Sequence, residues 1–246
     1  MTHDIITWHS RPALDRIVFI SGLPGVGNVG KIAADFMASE LEAQPMLTLL
    51  SSELPPQVSV DQDCIGRMAK QELRYCRVGD QDVVFLLGDF QGVSSQGQYE
   101  LSKSVFDIIV AYDPRLVITL GGYGIGAVVT DPRVFGVATR PELKPDMEKC
   151  GILFSSGEPA GGIIGAAAAF LGIADAYGID GVSVIGETSG AILDYKSARA
   201  VVQAVAEILD TRFDLTDFEE SVRMIDELNN EAQSLAPGHE DLSYIG

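Results

Sequence analysis

Five short apolar runs, each ending at glycine or a polar cluster, set the terms on which this chain can fold: residues 17–20, 46–50, 83–87, 116–120 and 182–185. Apolar stretches this short, without polar alternation, read as strands buried on both faces. Between them the apolar spacing becomes helical, at Leu101, Val105, Ile108, Ile109 and Tyr112, across residues 163–177, and at Ala198, Val201, Val202, Val205 and Leu209. Strand and helix alternate, which predicts a single α/β core over residues 1–214 on a largely parallel sheet. With 46% hydrophobic residues among 246, the chain can bury a core of that size.

Two stretches depart from this rhythm. Residues 64–78 read better as two short strands with partial alternation, an antiparallel addition or edge hairpin. The helix expected from about residue 163 is unusually small-sided, with Gly161, Gly162, Gly165 and four alanines at 166–169. Dense packing against a neighbouring backbone is the expectation there.

After Leu215 the character of the chain changes. Thr216-Asp-Phe-Glu219 has the form of a capping box, and Phe218, Val222, Ile225, Leu228, Ala232 and Leu235 repeat at helical spacing. This predicts an acidic amphipathic helix over 215–236, stopped by Pro237-Gly238. Residues 237–246 are too short and polar for a core and read as a flexible tail.

Charge narrows the partners. Seventeen Lys and Arg face 35 Asp and Glu, a formal charge of -18, and residues 207–246 alone hold eleven acids and two bases. Nucleic acid and anionic membrane are excluded as main partners, and a basic protein surface is favoured. Cys64, Cys76 and Cys150 are odd in number and far apart, which fits a reducing cytoplasm rather than a disulfide framework or a zinc site. The start, Met-Thr-His-Asp, has neither a basic segment nor an apolar run, and no stretch reaches the ~20 apolar residues of a membrane span.

Chemistry has few carriers. The three histidines, His3, His9 and His239, stand near the chain ends, so a histidine base or a Ser-His-Asp triad inside the core is not expected, and no metal-ligand spacing occurs. What remains is a set of glycine-rich turns after predicted strands. Gly25-x-Gly27-x-x-Gly30 has dinucleotide-loop spacing; Gly25-x-x-x-x-Gly30-Lys31 has phosphate-loop spacing, but Ile32 stands where Ser or Thr would ligate magnesium. Gly88 to Gly97, Gly121 to Gly126 and Gly186 to Gly190 should gather with it on one sheet edge, where α/β folds bind ligands. A ligand site there would use Gly25, Gly27, Gly30, Lys31, Asp89, Glu158 and Glu187. The alternative is purely structural, with glycines turning strands into helices and the three acids capping helix amides.

Taken in order, the blocks Ser21-Gly-Leu-Pro-Gly-Val-Gly-Asn-Val-Gly-Lys31, Asp131-Pro-Arg-Val-Phe-Gly136, Gly157-Glu-Pro-Ala-Gly-Gly-Ile-Ile-Gly-Ala166, Gly186-Glu-Thr-Ser-Gly190 and Asp241-Leu-Ser-Tyr-Ile-Gly246 resemble the archaeal branch of the proteasome assembly chaperone family. The resemblance spans nearly the whole chain. Members are often catalogued as uncharacterised or as ATP-grasp proteins, and the family's core resembles the purine nucleoside phosphorylase fold. The resemblance implies a non-enzymatic chaperone without cofactor, catalytic residues or metal, forming a homo-tetramer or homo-pentamer.

The partner it implies is the α-subunits or α-ring of the 20S proteasome, bound through the C-terminal tail. Leu242, Tyr244 and Ile245 would bury apolar area while the Gly246 carboxylate pairs with a lysine. The family's motif puts tyrosine second from the end; here Tyr244 is third. The competing reading is a nucleotide- or nucleoside-binding enzyme, a carboligase or phosphorylase relative, working through the glycine loops.

Overall fold

A computed structural model of the chain describes residues 4–127, 129–190 and 193–235. The chain divides into two units, residues 1–213 and a second that begins at Asp214. The first unit is a mixed α/β structure on an eight-stranded sheet. In chain order its strands are β1 (Asp4–Trp8), β2 (Val18–Ser21), β3 (Gln44–Ser51), β6 (Gln71–Val78), β7 (Gln81–Gly88), β8 (Leu116–Gly124), β9 (Val134–Ala138) and β10 (Gly181–Thr188). Two further short strands, β4 (Val58–Val60) and β5 (Gly66–Met68), pair only with each other. The helices of this unit are α1 (Val29–Glu40), α2 (Ser95–Ile109), α3 (Lys144–Lys149), α4 (Ala166–Ala176) and α5 (Tyr195–Ile208).

The spatial order is β1-β3-β6-β7-β2-β8-β10-β9. Only the contacts of β2 with β7 and β8, and of β8 with β10, are parallel; the other four are antiparallel. The expectation of a largely parallel sheet is therefore corrected to a mixed one. The cause lies in the stretch that broke the sequence rhythm. A two-residue turn, with Gly79 at φ +57°, folds β6 back on β7 so that Val78 faces Gln81. A left-handed residue is what a tight hairpin demands. The reversal makes both pairings of β6, with β7 and with β3, antiparallel, while β3 itself runs in the direction of β7. The expected edge hairpin thus divides: β6 lies inside the sheet, and β5 forms the separate ribbon with β4.

Alternation along the central strands builds two apolar layers. Phe19, Val84, Leu86 and Val117 join Leu101, Val105 and Phe106 of α2 and Phe170 and Ile173 of α4 in one buried cluster. The opposite face is covered by α1 and α5, which pack against each other. A methyl built on Gly186 of β10 would lie 3.2 Å from Val29 of α1 and 3.0 Å from Val201 of α5.

α4 starts at Ala166 rather than near 163, because Gly161, Gly162 and Gly165 hold φ of +81°, +80° and +78°. A Cβ on Gly161 or Gly162 would meet nothing within 4 Å. Those two glycines serve left-handed turns, not the dense packing expected of them.

The second unit carries α6 (Thr216–Leu235). Its start is held by Asp214, whose Oδ1 accepts from the Thr216 amide at 3.0 Å and hydroxyl at 2.7 Å. The Thr216 hydroxyl thus donates to a carboxylate that precedes the helix. The tail residues Leu242, Tyr244, Ile245 and Gly246 lie outside the described residues. Among the described residues no helix is long and apolar enough to cross a membrane.

Candidate functional site

Because β7, β2, β8 and β10 run parallel, their C-terminal ends emerge along one edge, and the four glycine-rich turns meet there. β2 ends at Ser21, a single 3-10 turn over Val26–Asn28 follows, and α1 starts at Val29. Gly27 sits at φ +62°, and its carbonyl accepts the Asp194 amide at 2.9 Å. A Cβ on Gly27 would stand 2.8 Å from Thr188 Oγ1, and one on Gly30 would stand 2.4 Å from the Leu120 carbonyl oxygen. Gly25, by contrast, has only Gln91 Nε2 nearby, at 3.7 Å. The room made by two of the three fingerprint glycines is filled by the protein's own strands.

Lys31 does not project into the loop. Its Nζ donates to the Gly88 carbonyl at 3.2 Å and pairs with Asp35 one helical turn on, at 2.8 Å. A phosphate-loop lysine must reach across its own loop to β- and γ-phosphates. Here the amine joins α1 to the end of β7.

The three acids are also engaged, though none as a helix cap. Asp89 accepts the Lys70 amide on Oδ2 at 3.2 Å, and its own amide donates to the Lys70 carbonyl at 3.1 Å. Glu187, near the end of β10, is buried with 6% of its side chain exposed, and Arg133 holds it by Nε to Oε2 at 3.0 Å, Nη2 to Oε1 at 2.5 Å and the backbone amide to Oε2 at 3.3 Å. The hydrogen bonds from Arg133 keep the Glu187 carboxyl below its ordinary range against the opposing effect of burial. Glu158 is half-buried, and with Tyr123 its charge also favours the Arg133 cation. The Arg133 guanidinium lies 4.9 Å from the centre of the Phe135 ring. The helix caps are Ser94, accepting from Gly97 at the start of α2, and Asp194, accepting from Ser197 at the start of α5.

Two residues that organise this edge were not legible in sequence. Gln91 donates from Nε2 to the Pro24 carbonyl at 2.6 Å and accepts the Ala166 amide on Oε1 at 2.9 Å, joining the first loop to the start of α4. Arg133 is the other; its block was visible, but its partner depends on the antiparallel register of β9 against β10. The structure thus gathers Gly25, Gly27, Gly30, Lys31, Asp89, Glu158 and Glu187 on one edge, with Lys31, Asp89 and Glu187 bonded within the fold. Among the described residues, no group of three or more His, Cys, Asp or Glu could hold a metal ion. Two hollows lie away from this edge. One of ≈ 430 Å³ is lined by Leu14, Leu41, Tyr75 and Cys76, and a groove of ≈ 380 Å³ runs between α2 and α4.

Known proteins match this chain over nearly its full length. The model of the PAC2 family matches residues 19–233. A protein of Methanocaldococcus jannaschii, described as uncharacterized, is 32% identical over 244 residues, covering 95% of this chain and 93% of its own. Among solved structures, Pyrococcus furiosus PbaB, an archaeal proteasome activator, is 31% identical with a TM-score of 0.89, over 95% of this chain and 100% of that one. Pyrococcus furiosus PbaA, an archaeal homolog of proteasome-assembly chaperone, shares the fold at 24% identity with a TM-score of 0.75, over 94% and 97% of the two chains.

Proposed function

The chain belongs to the PAC2 family, and on that premise we propose that it is a proteasome assembly chaperone or activator of the cytoplasm, with no catalytic role. The observation that carries this reading is the full-length likeness to an archaeal proteasome activator, in fold and in nearly a third of the residues. The loop edge agrees with it. An enzyme of this architecture needs polar groups left available to a substrate, whereas Lys31, Asp89 and Glu187 are committed to internal partners.

In this reading the α/β core of residues 1–214, with the purine nucleoside phosphorylase-like fold, is a platform. The helix of 215–236 is a spacer, and residues 237–246 dock on the α-subunits of the 20S proteasome through Leu242, Tyr244, Ile245 and Gly246. The uneven charge supports a basic docking surface. One short tail binds weakly because ordering it costs entropy, so a homo-tetramer or homo-pentamer would gain avidity from several tails.

The test is capture by archaeal 20S α-rings of the full chain and of a chain truncated after Ala236. Equal capture sinks tail docking. The nucleotide-enzyme alternative would return if ATP or a nucleoside raised the melting temperature and Lys31→Ala removed the rise.

A further inference from the structure

The larger of the two hollows lies at the opposite end of the sheet from the glycine loops, where β6 ends and β7 begins. Its walls come from four directions. The linker between β1 and β2 supplies Leu14, the end of α1 supplies Leu41 and Glu42, β6 supplies Tyr75, Cys76 and Arg77, and β7 supplies Asp82. Its ≈ 430 Å³ falls among small-molecule sites, which span about 300–1,000 Å³. Leu14 and Tyr75 also pack against the buried apolar cluster, so these two walls are continuous with the core.

The electrostatics of this hollow favour a cation. The Asp82 side chain is only 14% exposed; its Oδ2 accepts the Asp15 amide at 3.1 Å, while its Oδ1 stands 3.9 Å from Arg77 Nη1, beyond hydrogen-bond distance. Arg77 itself is 65% exposed and leans on the β6–β7 turn, donating from Nε to the Gly79 carbonyl at 3.4 Å and lying 4.0 Å from Asp80. Ion pairs so long and so exposed contribute little. Glu42 adds a second carboxylate, and α1 brings its negative C-terminal end here with no basic residue in its last turn. The groove between α2 and α4 offers no such charge, because Lys103 in its wall is already paired with Asp107 at 2.5 Å.

We infer that this hollow is a binding site for a small organic cation, a primary ammonium carried on an apolar or aromatic body. The body lies against Leu14, Leu41 and Tyr75, and the ammonium donates to Asp82 Oδ1 and Glu42. The Tyr75 ring adds a face that attracts a cation. Every wall belongs to the first unit, so the site is independent of the loop edge and of tail docking.

Cys76 in the wall makes occupancy directly readable. Tryptamine is the probe, with tryptophol and indole-3-propionate as neutral and anionic molecules of the same body; at pH 8 the amine is protonated. The full chain is treated with a neutral disulfide reagent, and mixed disulfides at Cys64 and Cys76 are followed by peptide mass spectrometry. At ten times its half-saturating concentration tryptamine should slow labelling of Cys76 about tenfold and leave that of the exposed Cys64 unchanged. Tryptophol and indole-3-propionate should shield Cys76 far less. Asp82→Asn and Glu42→Gln should each raise the half-saturating concentration about tenfold with unchanged circular dichroism. Glu42 is exposed, so its variant carries the test if loss of the Asp82 charge disturbs Asp15. Failure of millimolar tryptamine to shield Cys76 overturns the proposal. Equal shielding by tryptophol also overturns it, since the hollow would then be merely apolar, as does stronger shielding by indole-3-propionate or undiminished shielding in both variants.

Discussion

Replacing Gly30 by alanine should separate a packing glycine from a ligand-binding one. In α1 the added Cβ would lie 2.4 Å from the Leu120 carbonyl oxygen and 2.7 Å from its carbon. Real Cβ atoms do not approach so closely. The obstruction is backbone of β8, fixed between β2 and β10, so no side-chain rotation relieves it. Overpacking of this kind destabilises by about 1–3 kcal/mol, and an immovable strand argues for the upper end. Alanine offsets about 1 kcal/mol of that through its better helix propensity. The net loss should be about 2 kcal/mol, which at ~2–4 °C per kcal/mol lowers Tm by about 4–8 °C. Gly172 in α4 provides the matched control, since a Cβ there meets nothing within 4 Å. Gly172→Ala should raise stability by about 0.5–1 kcal/mol. Urea and thermal melts followed by circular dichroism and by Trp8, the only tryptophan, read both variants. A Gly30→Ala protein as stable as wild type would refute the packing argument and reopen the nucleotide loop.

Three other outcomes follow from the same geometry. Gln91→Leu removes both bonds that join Pro24 to Ala166 and should cost about 1–2 kcal/mol, with faster hydrogen exchange at the Ala166 amide. The Glu187 carboxyl is held below its ordinary value of 4.5 by Arg133, so its contribution is present above that value and is lost as pH falls through the depressed one. Arg133→Met should therefore melt below wild type at pH 7, with the difference narrowing as a pH series descends past 4.5. Burial pushes the Cys76 thiol up to about 11, while Cys64 is exposed. A disulfide reagent at pH 8 should consume Cys64 first, and the Cys76 rate should climb with pH until about 11.

The apolar runs located five of the sheet's strands because a strand buried on both faces needs no partner to be recognised. The same logic located the loop edge: four parallel strands send their glycine turns the same way. β1 escaped notice because Ile5 and Ile6 are both exposed on an edge, which leaves neither a continuous nor an alternating pattern. β9 is a five-residue strand that returns antiparallel after an irregular segment, and nothing local announces which strand it will join. Every pairing that organises the edge depends on that kind of information. Glu187 meets Arg133 across 54 positions, and Gln91 meets Ala166 across 75. Asp89 and Glu187 look like helix caps in sequence because helices follow them closely. The folded chain uses Ser94 and Asp194, which stand one residue before α2 and α5, where a side-chain oxygen reaches the third amide.

What a glycine fingerprint means is decided by what occupies the space its missing side chains leave. In a nucleotide loop that space admits a phosphate, because glycine permits the backbone to approach the ligand. Here a Cβ on Gly22 would fall 2.2 Å from Ala34 and 2.5 Å from the Gly30 carbonyl oxygen, one on Gly30 would fall on Leu120, and one on Gly122 would fall 2.3 Å from the Val26 carbonyl oxygen. The loop, the first helix and the eighth strand therefore approach one another as closely as a nucleotide fold approaches its ligand. The same residue spacing has been turned to packing. An edge closed in this way commits Lys31, Asp89 and Glu187 to partners within the fold, while Val26, Ile125 and Ile164 stand exposed. Side chains already bonded within the fold leave fewer polar groups for a small polar ligand, which is why the glycine spacing here speaks for packing rather than for a nucleotide loop.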